Sequence, residues 1–246
     1  MCGRYALTLP PELVRAFLGY LDQPNFPPRY NIAPTQPVAV AIRADDGARR
    51  FLLMRWGFLP SWLKDPKDFP LVFNARAEGA AEKPAFRNAL RRRRALMPAD
   101  GFYEWRKAGK EKSPFLIRRR DRGAFAFAAI WETFSAADGS EIDTVAIVTT
   151  AAPAAFAAIH PRSPVVIDPA HFEPWLDPDT LLAEAQSFIA PPQPDLFEAI
   201  AIGPAINKAD NDNAAVQTPS SLASTPPAKA SRTKPPDEDS GQGSLF

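Results

Sequence analysis

The chain has a single cysteine, Cys2, and two histidines, His160 and His171. One thiol excludes an internal disulfide framework and fits a reducing compartment. One thiol and two imidazoles are too few for a structural zinc site. Acidic and basic residues nearly balance, leaving a formal charge of +1 over 246 residues. No global basicity therefore announces a polyanionic partner, and any anion site must come from local clustering. No apolar run approaches the ~18 residues of a membrane-spanning helix. The opening MCGRYALTLP lacks the charged and apolar segments of a secretory signal, so the mature chain is expected to start where synthesis starts. There is no phosphate-cradling glycine loop, no nucleophile elbow and no zinc signature, so neither metal nor cofactor is expected. These absences fit a cytoplasmic protein with no membrane partner; a monomer is expected.

What is present is ordinary globular material followed by a tail. Hydrophobic residues make up 46% and charged residues 23%, enough for a good core in residues 2–211. From Asp212 the text turns to Pro, Ser, Ala and charge, with no aromatic until the last residue. Residues 212–246 are expected to be disordered, because they cannot bury enough apolar surface to offset their ordering entropy. Within the domain, Pro10-Pro11-Glu12 and the following LVRAFLGY predict a helix with Leu13, Phe17 and Leu18 on one face. VAVAIR (38–43) and FLLMRW (51–56) predict strands about a DDG turn. Further strands are expected at 102–106, 114–118, 124–131, 144–149 and 165–167, with short helices near 84–90, 152–158, 170–175 and 179–187. The fold class is α+β, a single domain with a mainly antiparallel, curved, barrel-like sheet flanked by short helices.

Cys2 follows the initiator Met1 directly. Removing Met1 would leave an amine and a thiol on one residue, a 1,2-aminothiol. Such a pair captures an aldehyde as an imine and closes it to a five-membered thiazolidine. Both groups ordinarily titrate near pH 8, so nucleophilic forms exist at neutral pH. Position alone also allows an accidental cysteine at a frayed end.

Several polar residues stand in apolar text. Glu104, in ADGFYEWR, alternates with Phe102 and so shares its face; a desolvated carboxyl there would suit general acid–base work. A solvated edge is the alternative. Glu132, in AAIWET, follows its strand and is expected to be more exposed. His160, in AAIHPRSPVV, sits in a Pro-rich turn where functional groups are common, although a structural histidine fits as well. His171 reads as structural. In LVFNARAEG, Asn74, Arg76 and Glu78 recur with a period of two and so would share a face. Arg76 suits a phosphate and Asn74 a hydroxyl or backbone group, against an Arg76–Glu78 ion pair. Arg4 would share a strand side with Cys2 and lower the pKa of its amine and thiol. Trp56, Phe58 and Trp62, in RWGFLPSW, offer stacking faces beside arginines or simply core packing. The runs Arg91–Arg94 and Arg118–Arg120 read as solvated faces.

Taken in order, seven segments resemble one family: Met1–Tyr5, Asn31–Gln36, Arg55–Trp62, Asn74–Glu78, Met97–Trp105, Ala129–Glu132 and His160–Ile167. The chain is similar over residues 2–211 to the SRAP family, the SOS-response-associated peptidases or abasic-site processing proteins. The resemblance implies a sensor of abasic sites in single-stranded DNA at stalled forks, associated with the nucleoid. By the family's pattern Cys2 forms a thiazolidine crosslink, Asn74 positions the amino end and sugar, and Glu104 and His160 manage protons. Arg4 and Arg76 would hold phosphates, with Trp56 and Trp62 as DNA-binding aromatics. The family attributes Met1 removal to self-processing. The chain departs from the pattern at Pro161, Ser163 and Ala95, where Asp, Met and Cys are usual. Two other functions remain open: an N-terminal-nucleophile hydrolase using Cys2 with Glu104 or His160, and a non-catalytic single-strand-binding module.

The chain ends Gln242-Gly243-Ser244-Leu245-Phe246. This resembles the short sliding-clamp-binding peptide of bacterial replication and repair proteins, with Gln242, Leu245 and Phe246 as its anchors.

Overall fold

A computed structural model describes residues 2–220 of the chain. Thirteen strands and six short helices are described: β1 (Tyr5–Leu7), β2 (Arg29–Ile32), β3 (Pro37–Arg43), β4 (Arg49–Trp56), β5 (Asn74–Arg76), β6 (Arg94–Ala99), β7 (Gly101–Ala108), β8 (Glu111–Arg119), β9 (Phe125–Ser135), β10 (Glu141–Ala151), β11 (Arg162–Pro164), β12 (Val166–Ile167) and β13 (Phe197–Ala201), with α1 (Pro11–Leu18), α2 (Ala77–Ala80), α3 (Arg87–Arg92), α4 (Ala154–Ala157), α5 (Phe172–Leu176) and α6 (Leu182–Ser187). No helix among the described residues is long and apolar enough to cross a membrane.

Five strands close into a barrel in the order β10-β4-β3-β6-β9, with β9 pairing back onto β10. All contacts around the ring are antiparallel except β10 with β4, where Thr144 faces Arg55 and Val145 faces Trp56. Closure removes the free edges that an open sheet would expose. β5 extends the barrel by pairing parallel to β10, and β11 pairs with the same end of β10, at Thr149–Ala151. An antiparallel second sheet, β13-β8-β7-β1-β2, carries the N-terminus in its interior. Tyr5 of β1 lies opposite both Ile32 of β2 and Phe102 of β7.

Aromatic rings join the two layers. Tyr5 meets Trp56 and Phe127 edge-on at 5.3 and 5.7 Å, and Phe127 meets Phe102 and Phe125 at 6.0 and 5.2 Å. Such edge-to-face pairs add about 0.5–1.5 kcal/mol each beyond simple burial. Tyr5 and the fully buried Cys2 are therefore anchored in the core of the molecule.

The expected strands and helices are present with shifted ends. α1 forms where Pro11 and Glu12 predict it and ends at Gly19, whose φ of 70° is the left-handed conformation glycine tolerates. Its buried residues are Val14 and Leu18, whereas Leu13 is exposed, so the apolar face is turned from the expected one. β2, β6 and β13 carry no distinct signal in the sequence, whereas β5 lies where the period-two spacing of Asn74 and Arg76 implied extended chain. β6 is hidden behind the run Arg91–Arg94, and its six residues are all buried. Arg94 is no solvated arginine: 2% exposed, it donates to the carbonyls of Leu90, Arg91, Trp175 and Asp177. Glu132 is also buried, held by Arg93, because β9 runs on to Ser135. His171 is exposed and stacks on Phe188, with ring centroids 4.5 Å apart.

Ordered structure also continues past residue 211. Asp212 accepts hydrogen bonds from the Arg29 side chain and from the backbone N–H groups of Tyr30 and Asn31. A 3-10 turn at Ala214–Gln217 buries Val216, and Ser220 donates its N–H to Ala201. Composition missed this segment because its order comes from β2 and β13. The expected boundary at residue 212 therefore falls short of the described end at residue 220. Gln242, Leu245 and Phe246 lie outside the described residues.

Candidate active site

The site is built where the second sheet meets the outer edge of the barrel. β1 fixes the N-terminal residues through two backbone bonds, Tyr103 N–H to the Arg4 carbonyl and Asp100 N–H to the Ala6 carbonyl, each 3.0 Å. Arg4 adds a second tie. Its guanidinium donates to Asn31 Oδ1 at 2.7 Å and to the carbonyls of Ile206 and Asn207 at 2.9 and 3.4 Å. Asn31 in turn donates to the carbonyls of Ile206, Lys208 and Asn211.

Cys2 is fully buried, and the Asn74 side-chain amide donates to its carbonyl at 2.9 Å. Asn74 Oδ1 is buried without a hydrogen-bond partner, an acceptor waiting beside the first residues of the chain. Burial, and then the charge of Glu104, push the Cys2 thiol well above its ordinary pKa. This reverses the lowering expected from Arg4, whose guanidinium is engaged with the chain's own carbonyls.

Glu104 lies on β7 and is 3% exposed. Burial raises its pKa to about 7, with the α-ammonium of the chain pulling the other way. His160 Nδ1 lies 4.0 Å from Glu104 Oε1. The same nitrogen is 3.0 Å from both the N–H and the carbonyl oxygen of Arg162. The ring can thus accept from one as neutral imidazole or donate to the other when Nδ1 carries a proton. Burial lowers the His160 pKa, so the neutral ring dominates at pH 7.

Cys2 and Asn74 are thus joined by a hydrogen bond, and His160 lies beside Glu104, although the four are spread from position 2 to position 160. Arg76 is exposed at the end of β5, on the same side of the strand as Asn74, and no hydrogen bond or ion pair holds it among the described residues. Glu78 does not continue that face, because β5 ends at Arg76 and α2 starts at Ala77. It pairs with Arg162, at 2.6 and 2.9 Å, rather than with Arg76.

The tryptophans divide differently from expectation. Trp56 is 0% exposed and donates Nε1–H to the Phe73 carbonyl, so it cannot offer a face to a base. Trp62 is 59% exposed but packs edge-on to Phe69 and does not line the cleft at Glu104. That cleft, about 530 Å³, is lined by Glu104, Trp105, Lys107, Lys112, His160 and Asn207. Trp105 is its aromatic wall, with Nε1–H donating to Asn207 Oδ1 at 2.8 Å. Position beside Glu104 was the available signal for Trp105. Arg162 was also missed; beyond Glu78 it donates to the Thr149 carbonyl at 2.6 Å, and its Nε is buried without a partner.

The family profile described as SOS response associated peptidase (SRAP) matches residues 1–209. The chain belongs to the SRAP family. This SRAP chain is 36% identical over 225 residues to abasic site processing protein YoaM of Bacillus subtilis (strain 168), covering 87% of this chain and 96% of that one. It is 34% identical over 196 residues to abasic site processing protein YedK of Escherichia coli (strain K12), covering 77% of this chain and 86% of that one. A protein of Bacteroides thetaiotaomicron known from its crystal structure has the same fold, with a TM-score of 0.81 at 24% identity over 89% of this chain and 100% of that one. Of the departures from the family pattern, Ser163 is buried in β11 opposite Thr150 of β10.

Proposed function

We propose that this SRAP chain captures abasic sites in single-stranded DNA by forming a thiazolidine between Cys2 and the C1′ aldehyde of the open-chain sugar. The observation that carries the reading is the convergence of Asn74, Glu104 and His160 on a cysteine that becomes an aminothiol when Met1 is removed. The names of the relatives supply the lesion. Asn74 holds the Cys2 carbonyl, and in this proposal its unpaired Oδ1 accepts from the new α-ammonium.

The raised thiol pKa orders the steps. At neutral pH the thiol keeps its proton, so the amine attacks the aldehyde first. Loss of water gives the imine. The sulfur then adds to the imine carbon, and the thiol proton ends on the nitrogen; aldehyde plus aminothiol gives thiazolidine plus water. Glu104, poised near pH 7, accepts a proton from the ammonium or thiol and returns one to the departing water. His160, neutral, serves ring opening of the sugar and relays to Glu104. The imine is also the species from which β-elimination would cut the strand, and ring closure removes it. Arg76, exposed at the end of β5, holds a phosphate, whereas Arg4 is taken up by Asn31 and the carbonyls of Ile206 and Asn207.

The test is a denaturing gel of the protein with a single strand bearing one abasic site. A boiling-resistant shifted band that disappears in Cys2→Ala supports the reading, with intact mass showing Met1 absent. Peptide cleavage without that band would instead favour an N-terminal-nucleophile hydrolase.

We propose further that Gln242, Leu245 and Phe246 dock on the bacterial sliding clamp and so deliver the domain to forks on the nucleoid. Calorimetry with the clamp should show binding by the full chain and none after deletion of the last five residues.

A further inference from the structure

β7 and β8 form a hairpin whose register sets Lys107 directly opposite Lys112 and Trp105 opposite Pro114. The turn between them passes through Gly109, at φ +60°. Like charges facing each other across an antiparallel pair destabilise it. Both lysines are exposed, and no ion pair relieves either among the described residues. Glu111, the acidic residue nearest in the hairpin, faces Ala108 instead.

The pair is not a remote patch. Both ammonium-bearing side chains line the cleft whose inner end holds Glu104 and His160 and whose wall is Trp105. Trp105 and Lys107 stand on one side of β7, two residues apart, which is about 7 Å along a strand. An aromatic face followed by two uncompensated cations, leading out of a reactive pocket, matches a base and then the backbone beyond it. Lysine suits such a seat, being a mobile point charge that holds phosphate oxygens without a fixed fork geometry.

We propose that Lys107 and Lys112 form an outer phosphate seat that grips the single strand on one side of the lesion. The inference rests on the reading of the site as one that takes abasic DNA. It adds a directional footprint, so affinity depends on one flank and not equally on both.

The test uses the full chain and a fluorescent single strand with a central tetrahydrofuran residue, which has no aldehyde and so binds reversibly. The affinity of Lys107→Ala/Lys112→Ala should fall less steeply with salt, the log–log slope shrinking by about 1.4 if each contact contributes ~0.7. Lys107→Arg/Lys112→Arg should restore the slope. Trimming the strand on one side of the lesion should abolish the difference between the variants, and trimming the other side should leave it. An unchanged slope in the double alanine variant, or equal effects of both trims, overturns the proposal. Crosslinking to an authentic abasic strand at saturating DNA is measured in parallel. Failure of the unmodified protein to crosslink counts against the parent reading alone, since the salt slope judges the hairpin separately.

Discussion

Asn74 donates its side-chain amide to the carbonyl oxygen of Cys2 at 2.9 Å, joining β5 to the first residues of the chain. The bond orients Cys2, so that its nitrogen and sulfur are presented from a fixed backbone instead of a frayed end. Reactive groups gain rate from such fixed placement, since the entropy of alignment is lost before the reaction begins.

Replacement of Asn74 should therefore slow capture more than it weakens DNA binding. Asn74→Ala leaves a buried carbonyl unmet, worth about 1–3 kcal/mol. Single-turnover crosslinking at saturating DNA should fall about tenfold or more. Asn74→Asp, similar in shape but without the donor, should fall comparably.

Glu104 gives a pH signature in both rate and stability. Its proton-accepting form appears as pH rises through about 7, so crosslinking should accelerate across that range. Glu104→Gln should lose this inflection. In stability the sign is opposite. The folded pKa lies above the ordinary 4.5, so the unfolded chain ionises first. Stability should fall as pH rises from about 4.5 to about 7 and level off above, a loss of about 3 kcal/mol. Denaturant melts of Glu104→Gln should show a flatter profile over that window.

Arg94 should behave unlike its neighbours in the run Arg91–Arg94. Arg94→Met leaves the carbonyls of Leu90, Arg91, Trp175 and Asp177 without their donor, and should cost about 3 kcal/mol or more in urea melts. Arg91→Ala and Arg92→Ala, both at exposed positions, should stay within about 0.5 kcal/mol.

Asp212 should prove an integral part of the domain. Asp212→Ala removes the acceptor shared by Arg29, Tyr30 and Asn31, and should lower stability by about 1–3 kcal/mol. Thermal melts should shift down by about 2–4 °C per kcal/mol. A chain ending at residue 211 should melt below one ending at residue 220.

The local text was sufficient where one residue's own chemistry decided the matter. Pro11 and Glu12 start α1, and the alternation in VAVAIR and FLLMRW marks β3 and β4. It failed where burial was set by distant partners. Arg94 looks like its exposed neighbours until Trp175 and Asp177 are folded over it, and Trp56 looks like Trp62 until Tyr5 and Phe73 enclose it. Residues 212–220 read as tail because the partners that order them, Arg29 to Asn31 and Ala201, lie far away in the chain.

The sequence by itself determined the candidate nucleophile, because only the residue after Met1 can expose an amine and a thiol together. Through the order of its motifs it also pointed to Asn74, Glu104 and His160. The tertiary structure decided how those groups behave. Burial between two sheets raises the Cys2 thiol and Glu104 and lowers His160, a desolvation that no linear pattern states. It also moved the aromatic wall to Trp105 and turned Arg4 inward to hold the chain, since the cleft exists only where β7, β8 and the His160 loop meet.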